Sequence, residues 1–521
     1  MVDVAAAPSG AQDALGSAVP PAMRSPPSSA VETRAAIAET HVSVVTFVGD
    51  RAYKLKKPVA LGFVDLTERV SRERLCHREV ELNRRLAPDV YLGVADVVDA
   101  DGRLCDHLVV MRRMPAGRRL STLVREGIPV EIELRRIARV VAAFHARAEQ
   151  VPDAGTPVAL ADNWHTNLEE MSRFAGSALD ADLLNRVGVL AQRFVAGRSA
   201  LLEARIHSGR IRDGHGDLLA GDIFCLDDGP RILDCIEFDD RLRCGDVIGD
   251  IAFLAMDLER LGAPDLAARF VGYYKEYSGD PMPQPLLDHY IAYRALVRCK
   301  VACLRHEQGG TAALAEATRL LTIAYAHLAR ARVVLVLVGG PPGTGKTTLA
   351  RGLGDSLGWV VIRSDEVRHE LAGLAADRHA GCALDTGIYD APTTAATYGE
   401  LVERARELLG AGECAVLDAT WTDRRWRALA EDVAAETSSD LVELCCCAPR
   451  QAAAERIRRR AATGSDISDA TPRVADELAR RADPWPHATR IDTSGSALRG
   501  LVSALKAIGV TAPDHALGQS P

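Results

Sequence analysis

No Cys-x-x-C pair and no regular cysteine framework occurs anywhere in this sequence. The 12 cysteines are scattered, and Cys445, Cys446 and Cys447 stand side by side inside an apolar run. Reduced, small, buried thiols are therefore expected, rather than a zinc ligand set or a disulfide scaffold. A basic segment followed by an apolar core is missing from the N-terminus, and no apolar run approaches bilayer-spanning length. Neither a secretory signal nor a membrane span is expected, and the expected location is cytoplasmic. Positive charge is not in excess: 63 Lys and Arg face 71 Asp and Glu, a formal net charge of −8. Nothing in that balance draws nucleic acid or an anionic membrane to the chain as a whole, so local arginine clusters must be argued singly. Aromatic residues make up only 5%, while aliphatic residues, alanine above all, are plentiful. That suits helical and α/β folds. A chain of 521 residues exceeds one ordinary core, so two or three domains are expected.

What is present is organised around Gly340-Pro341-Pro342-Gly343-Thr344-Gly345-Lys346-Thr347, a complete G-x-x-x-x-G-K-[ST] phosphate loop. The apolar run Val333 to Val338 precedes it and reads as a buried parallel strand; Thr348 to Leu357 follows and reads as a helix. Glycines there let backbone N–H groups turn inward around a polyphosphate, and the helix N-terminus adds partial positive charge. Lys346 is placed to reach the β and γ phosphates, and the Thr347 hydroxyl to ligate magnesium. ATP and Mg2+ are the implied cofactors, with Gly340 to Thr348 as the nucleotide-binding stretch.

Residues 1–38, rich in Ala, Pro and Ser, read as a disordered leader. Residues 39–330 read as one α+β domain. It opens with a hairpin, 42–48 and 52–56, around Gly49-Asp50, followed by a helix from Leu66 to Leu86, a strand from Leu104 to Met114 and helices over 129–148 and 183–207. From Ile211 to Asp250 the texture changes to short loops and strands crowded with aspartate, including a strand from Arg231 to Phe238. Crowded carboxylates repel one another and usually hold a cation or a catalytic site. Long helices then return, one of them over 286–306. Residues 331–510 alternate strand and helix, which implies a parallel sheet covered by helices on both faces; a polar insertion interrupts them near 376–392, and 511–521 reads as a flexible tail.

In open parallel sheets, ligands lie beyond the carboxyl ends of the strands. There the second strand ends in Arg363-Ser364-Asp365 and the third in Asp418-Ala419-Thr420. Asp365 is placed to accept the proton of an attacking hydroxyl, or else it caps its helix. Arg368 is placed to steady a phosphate or an acidic acceptor, and Asp418 to hold the magnesium shell or the acceptor. Arg456 and Arg460, four apart on one helix face ahead of a flexible stretch over 461–469, suit a lid that brings guanidiniums to the transferring phosphoryl group. Together these motifs resemble the small P-loop kinases grouped with gluconate kinase, the zeta toxins and polynucleotide kinase. The shared pattern is the phosphate loop, Ser364-Asp365-x-x-Arg368, Leu417 to Thr420 followed by Arg424, Arg425 and Arg427, and Glu455-Arg456 to Arg460 with Ser468-Asp469-Ala470. The resemblance implies Asp365 as general base and Lys346 with Arg456 or Arg460 as phosphate clamps.

The second dense site is Gly214-His215-Gly216-Asp217 through Asp222, followed by Gly245-Asp246 and Asp250-Ile251-Ala252. It resembles the H-G-D-x-x-x-x-N loop of the aminoglycoside and choline kinase branch of protein-kinase-like phosphotransferases. That resemblance implies Asp217 as the acceptor-orienting or deprotonating carboxylate. The family's magnesium asparagine is replaced by Asp222, and Glu237 falls where a metal-binding aspartate is expected, with Asp234 and Asp239 as alternatives if the register differs. Hard oxygen ligands of either kind suit magnesium. Lys54 and Lys56 share a strand face, and Glu79 on the next helix fits the lysine–glutamate pair that holds α and β phosphates; a pair of solvated lysines is the other reading. His145 reads as a core or boundary histidine. Asp246 and Asp250 read as structural.

The order of the two resemblances matches fused bacterial proteins with an aminoglycoside-phosphotransferase-like domain and a C-terminal ATP-binding P-loop domain. The expected activity is ATP-dependent phosphoryl transfer to a small-molecule hydroxyl, with one or two active sites. A pseudokinase first domain that regulates the second is one alternative, and a nucleic-acid end kinase built on the Arg424 to Arg427 and Arg456 to Arg460 clusters is another. The implied partners are nucleotide and a small acceptor, with no membrane.

Overall fold

The computed structural model describes residues 36–39, 42–61, 64–310, 312–374, 385–463 and 470–510. The expected leader (up to residue 35), the stretch 375–384 of the expected polar insertion, Ser468 and Asp469, and the expected tail lie outside them. Packing divides the chain into two units: Met1–Val151 with Ile211–Asp280, and Pro152–Arg210 with Pro281–Pro521. Two helical stretches, 152–210 and 281–330, thus group with the C-terminal sheet. Polar ties account for part of the grouping. The Arg198 guanidinium donates to the Thr437 carbonyl at 2.7 Å and to the Ser439 hydroxyl at 3.3 Å, and Arg193 pairs with Asp440 at 2.7 Å.

The first unit carries a five-stranded antiparallel sheet in the order Ala36–Glu39, Ser43–Val48, Arg51–Lys56, Leu104–Arg112, Tyr91–Val98. The expected hairpin forms around Gly49, whose φ of +56° suits the turn. Ala36–Glu39, which falls partly within the expected leader, pairs with the hairpin strand. The helix Arg69–Asn83 lays Cys76 and Val80 on the sheet beside Val109 and Tyr91. The expected strand 231–238 stops at Ile232, paired with Ile223. Asp234 then takes a φ of +68°, a left-handed conformation that ends the strand and turns the following residues away from it.

In the second unit five parallel strands run in the order Val360–Arg363, Ala415–Asp418, Val334–Gly339, Asp440–Cys447, Thr489–Asp492. The central strand is buried throughout, which explains its unbroken apolar sequence. Alternation sends Leu335 and Leu337 to one face, among Leu401, Leu417 and Trp421, and Val334, Val336 and Val338 to the other, among Leu349, Leu353 and Leu505. Both faces are thus covered, as expected. The single helix expected over 183–207 is instead two, Ala181–Gly197 and Ser199–His207. Arg198 between them leaves helical geometry (φ −123°, ψ 26°), and a side chain on Gly197 would fall 1.9 Å from the Thr437 carbonyl oxygen. Close backbone approach and a buried guanidinium break the helix there.

Candidate active sites

The sheet of the second unit aims the ends of its central strands at the phosphate loop. Gly340, Gly343 and Gly345 all have positive φ (+126°, +82° and +88°), so the loop Gly340–Gly345 needs glycine at these turns. Added side-chain carbons at Gly340 and Gly343 would meet the Cys446 and Ala453 carbonyl oxygens at 2.6 and 2.5 Å. The helix Lys346–Leu357 starts directly after the loop, with Gly345 at its N-cap. Thr348 lies in its first turn. The Thr347 hydroxyl donates to Asp418 Oδ2 at 2.7 Å, and the Arg363 Nε lies 3.4 Å from the same oxygen. Burial raises the Asp418 pKa above its ordinary value, against the lowering effect of Lys346, Thr347 and Arg363. Two hard oxygens side by side, one of them a desolvated carboxylate, fit a magnesium ion and its water shell. The glycine cradle fits a polyphosphate.

Two cavities share Lys346, Thr347 and Arg460. The larger, about 450 Å³, is lined by Gly343, Gly345, Arg456 and Thr493 among others. The smaller, about 200 Å³, is lined by Asp365, Arg368, Tyr389, Asp418, Thr420 and Trp426 among others. The structure therefore brings Lys346, Thr347, Asp418, Asp365, Arg368 and Arg460 around one space. Asp365 is not a helix cap: the helix Ser364–Leu371 has Arg363 at its N-cap, without a side-chain cap bond. Arg456 is tied down rather than poised in a free lid, since it donates to the Thr493 carbonyl at 2.6 Å. The arginines after Leu417 to Thr420 are also engaged. Arg427 is buried and donates to the Trp421 and Pro484 carbonyls at 2.7 and 2.9 Å, while Arg425 pairs with Asp423. Sequence reasoning did not single out Arg363 or Tyr398. Arg363 stands beside Ser364-Asp365 at the strand end, and that position was its signal. The Tyr398 hydroxyl bonds Thr420 at 3.0 Å from a helix with no motif to mark it.

The first unit builds its site from charge. Arg51–Lys56 is an inner strand, between Ser43–Val48 and Leu104–Arg112, so its lysines are not a solvated edge. Fully buried Glu79 accepts from Lys54 at one oxygen and from Lys56 at the other, both at 2.8 Å. Lys54 also pairs with Asp234 at 2.7 Å, and Lys56 pairs with Glu237. Glu237, expected at a metal, has a side chain 10% exposed and turned onto Lys56, whereas that of Asp234 is 49% exposed. Asp234, the alternative register, is the carboxylate the site presents. Lys54 holds its pKa down, whereas burial raises that of Glu237.

The Gly214–Asp217 loop is fixed by Asp250, which accepts from the His215 and Gly216 amides at 2.6 and 2.8 Å and lies 3.1 Å from His145 Nε2. His145 Nδ1 lies 2.8 Å from the Tyr274 hydroxyl. Asp250 and His145 are thus structural, as expected. Burial lowers the His215 pKa, which disfavours the charged ring. Its Nε2–H donates to the Leu233 carbonyl, which leaves Nδ1 facing the Asp217 amide at 3.4 Å. Asp217 is half-buried after this turn; Asp222 is likewise half-buried, and its carbonyl accepts from the Leu233 amide at 3.0 Å. Among the described residues, no group of three or more His, Cys, Asp or Glu side chains is arranged to hold a metal, and no helix is long and apolar enough to cross a membrane.

Two family models match. One, described as a phosphotransferase enzyme family, covers residues 50–286; the other, described as an AAA domain, covers residues 335–485. Uncharacterized proteins of Mycobacterium tuberculosis and Mycobacterium bovis are each 46% identical to the chain over 471 residues, 90% of this chain and 94% of theirs. Among solved structures, a choline/ethanolamine kinase family protein from Mesorhizobium loti is 13% identical with a TM-score of 0.36, over 58% of this chain and 94% of that one. The Mycobacterium tuberculosis APS kinase CysC, in complex with AMPPNP and APS, is 21% identical with a TM-score of 0.27, over 34% and 98%.

Proposed function

Because the chain belongs to the family of fused bacterial proteins that join a phosphotransferase-family unit to a P-loop unit, we propose that it is an ATP- and magnesium-dependent kinase that phosphorylates a small-molecule hydroxyl. The observation that carries this reading is the pair of cavities meeting at Lys346 and Thr347. One has the glycine cradle for a polyphosphate, and the other has a carboxylate for an acceptor, which is the layout of a two-substrate transfer. Lys346 and Arg460 neutralise the phosphates. Asp365 takes the proton of the attacking hydroxyl, and Arg456 fixes the wall of the nucleotide cavity. Thr347 and Asp418 would hold a magnesium ion, which would supply charge neutralisation on the phosphate oxygens.

The first unit is a second kinase site in this reading. Lys54 holds nucleotide phosphates, Glu79 orients Lys54, Asp234 with Asp222 serves the metal, and Asp217 orients the acceptor hydroxyl. The presence of an exposed aspartate beside Lys54 favours activity over a purely regulatory pseudokinase. The engaged state of Arg425 and Arg427 removes half of the support for a nucleic-acid end kinase. The test is magnesium-dependent ATP consumption across sugars, amino sugars, aminoglycosides and oligonucleotides, in the intact protein, Lys346→Ala and Asp217→Ala. Separate activities lost in the two variants establish two kinase sites. If only Lys346→Ala matters, the first unit is a binding or regulatory module.

A further inference from the structure

One buried cation in the second unit has no carboxylate partner among the described residues. Arg198 is 1% exposed, and its terminal nitrogens donate to the Gly197 and Thr437 carbonyls at 2.6 and 2.7 Å and to the Ser439 hydroxyl at 3.3 Å. Its Nε–H is buried without any hydrogen-bond partner among those residues. Arg243, also buried, is by contrast paired with both Asp213 and Asp240. Burial pulls the Arg198 pKa down to about 10, which still leaves the guanidinium charged at neutral pH. Keeping a charge out of water without a counter-charge is costly. Arg198 lines a cavity of about 20 Å³ together with Arg193, Arg332 and Asp440. Asp440 pairs at one oxygen with Arg193 at 2.7 Å and at the other with Arg332 at 2.5 Å. Three guanidiniums thus share one carboxylate, and the excess around the cavity is positive.

We propose that this cavity binds a single halide ion, of which chloride is the common one, held by the Arg198 Nε–H and by the positive excess of Arg193 and Arg332. Size sets the class of ligand. One water needs roughly 10–15 Å³, so a cavity of about 20 Å³ admits one atom-sized ligand and excludes phosphate, sulfate or a carboxylic acid. Charge decides between water and halide. A water satisfies the Nε–H and leaves the guanidinium unneutralised, whereas a halide does both, beside the apolar walls of Phe194 and Leu328 where the attraction is stronger than in water. Asp440 offers little repulsion, because each of its oxygens is already tied to an arginine. The place of the site gives the ion its role. Arg198 stands between the helices Ala181–Gly197 and Ser199–His207, Arg332 lies just ahead of the central strand, and Ser438, at a φ of +48°, leads into the strand Asp440–Cys447. The ion fastens the two helices to the sheet. Its cavity shares no lining residue with either cavity beside Lys346, so the proposal is independent of the kinase reading.

The test is thermal unfolding of the intact protein in increasing sodium chloride or bromide, with sodium methanesulfonate holding the ionic strength constant. All 5 tryptophans lie in the second unit, so their fluorescence follows that unit alone. Either halide is expected to raise its melting temperature by about 2–4 °C and then to saturate, as binding to the folded state alone requires. Arg332→Gln, on the half-exposed rim, frees one Asp440 oxygen and leaves Arg198 in place; it should raise the half-saturating halide concentration about fivefold or more. Arg198→Lys, which keeps the charge and loses the Nε–H, should do the same. In bromide-soaked crystals of the native protein, an anomalous peak is expected against Arg198 Nε. The proposal is overturned if methanesulfonate acts as the halides do, if the rise does not saturate, if Arg332→Gln keeps the native half-saturation, or if no bromide peak lies in this cavity.

Discussion

In the second unit a phosphate site is shaped by backbone, with three glycines at positive φ and one lysine at the start of a helix. The first unit instead sets two lysines among three carboxylates, Glu79, Asp234 and Glu237, with both lysines drawn to the same buried glutamate. A backbone cradle is already in place before a ligand arrives. A charge cluster is satisfied by itself, so on the proposed two-site reading Lys54 exchanges Asp234 for phosphate. The first arrangement depends on conformation and the second on pairing, and substitutions should separate them.

The largest effect is expected from Lys346→Ala, which should lower ATP turnover by the second site on the order of a hundred- to a thousandfold without unfolding it, as measured by steady-state kinetics. Glu79→Ala should act on stability instead. It removes the shared partner of two buried lysines, and breaking a buried pair in this way costs about 3–5 kcal/mol, read as a lower denaturant midpoint of the first unit. Gln in place of Glu79 should be milder, because it keeps hydrogen bonds while losing charge.

How much of this was legible followed the same division. The phosphate loop, the parallel sheet and Asp365 were readable because each is a local pattern: glycine spacing, an apolar run, and a strand end. The Lys54–Glu79 pair was readable from resemblance. Its sharing with Lys56 was not, because which carboxylate faces which lysine depends on where the strand Gly229–Ile232 ends. The left-handed turn at Asp234 sets that end, and no glycine or proline announces it. The break at Arg198 was invisible for a related reason: its cause, the Thr437 carbonyl, is distant in sequence.

A pH dependence sharpens the comparison further. Burial raises the Asp418 pKa above 3.8, so ionising it in the folded protein is harder than in the unfolded chain. Its contribution to stability is therefore lost as pH rises from the unfolded value through the raised folded one. Magnesium requires the carboxylate form, so magnesium affinity of the second site should rise over that same interval and then level. Asp418→Asn should flatten that rise, as seen by magnesium titration at a series of pH values. Asp234, held down by Lys54, should give the first site no such acidic limb above 3.8. The smallest effect is expected from Arg425→Ala, which removes an exposed pair with Asp423 and should change stability by less than about 0.5 kcal/mol and kinase activity not at all.

On the proposed reading, one chain carries two nucleotide sites held by different physics. Counting bound Mg-ATP per chain by equilibrium titration tests it most directly. The account predicts two sites in the native protein, with Lys346→Ala and Lys54→Met each leaving one and the double variant leaving none. A single site in the native protein, insensitive to Lys54→Met, would contradict it.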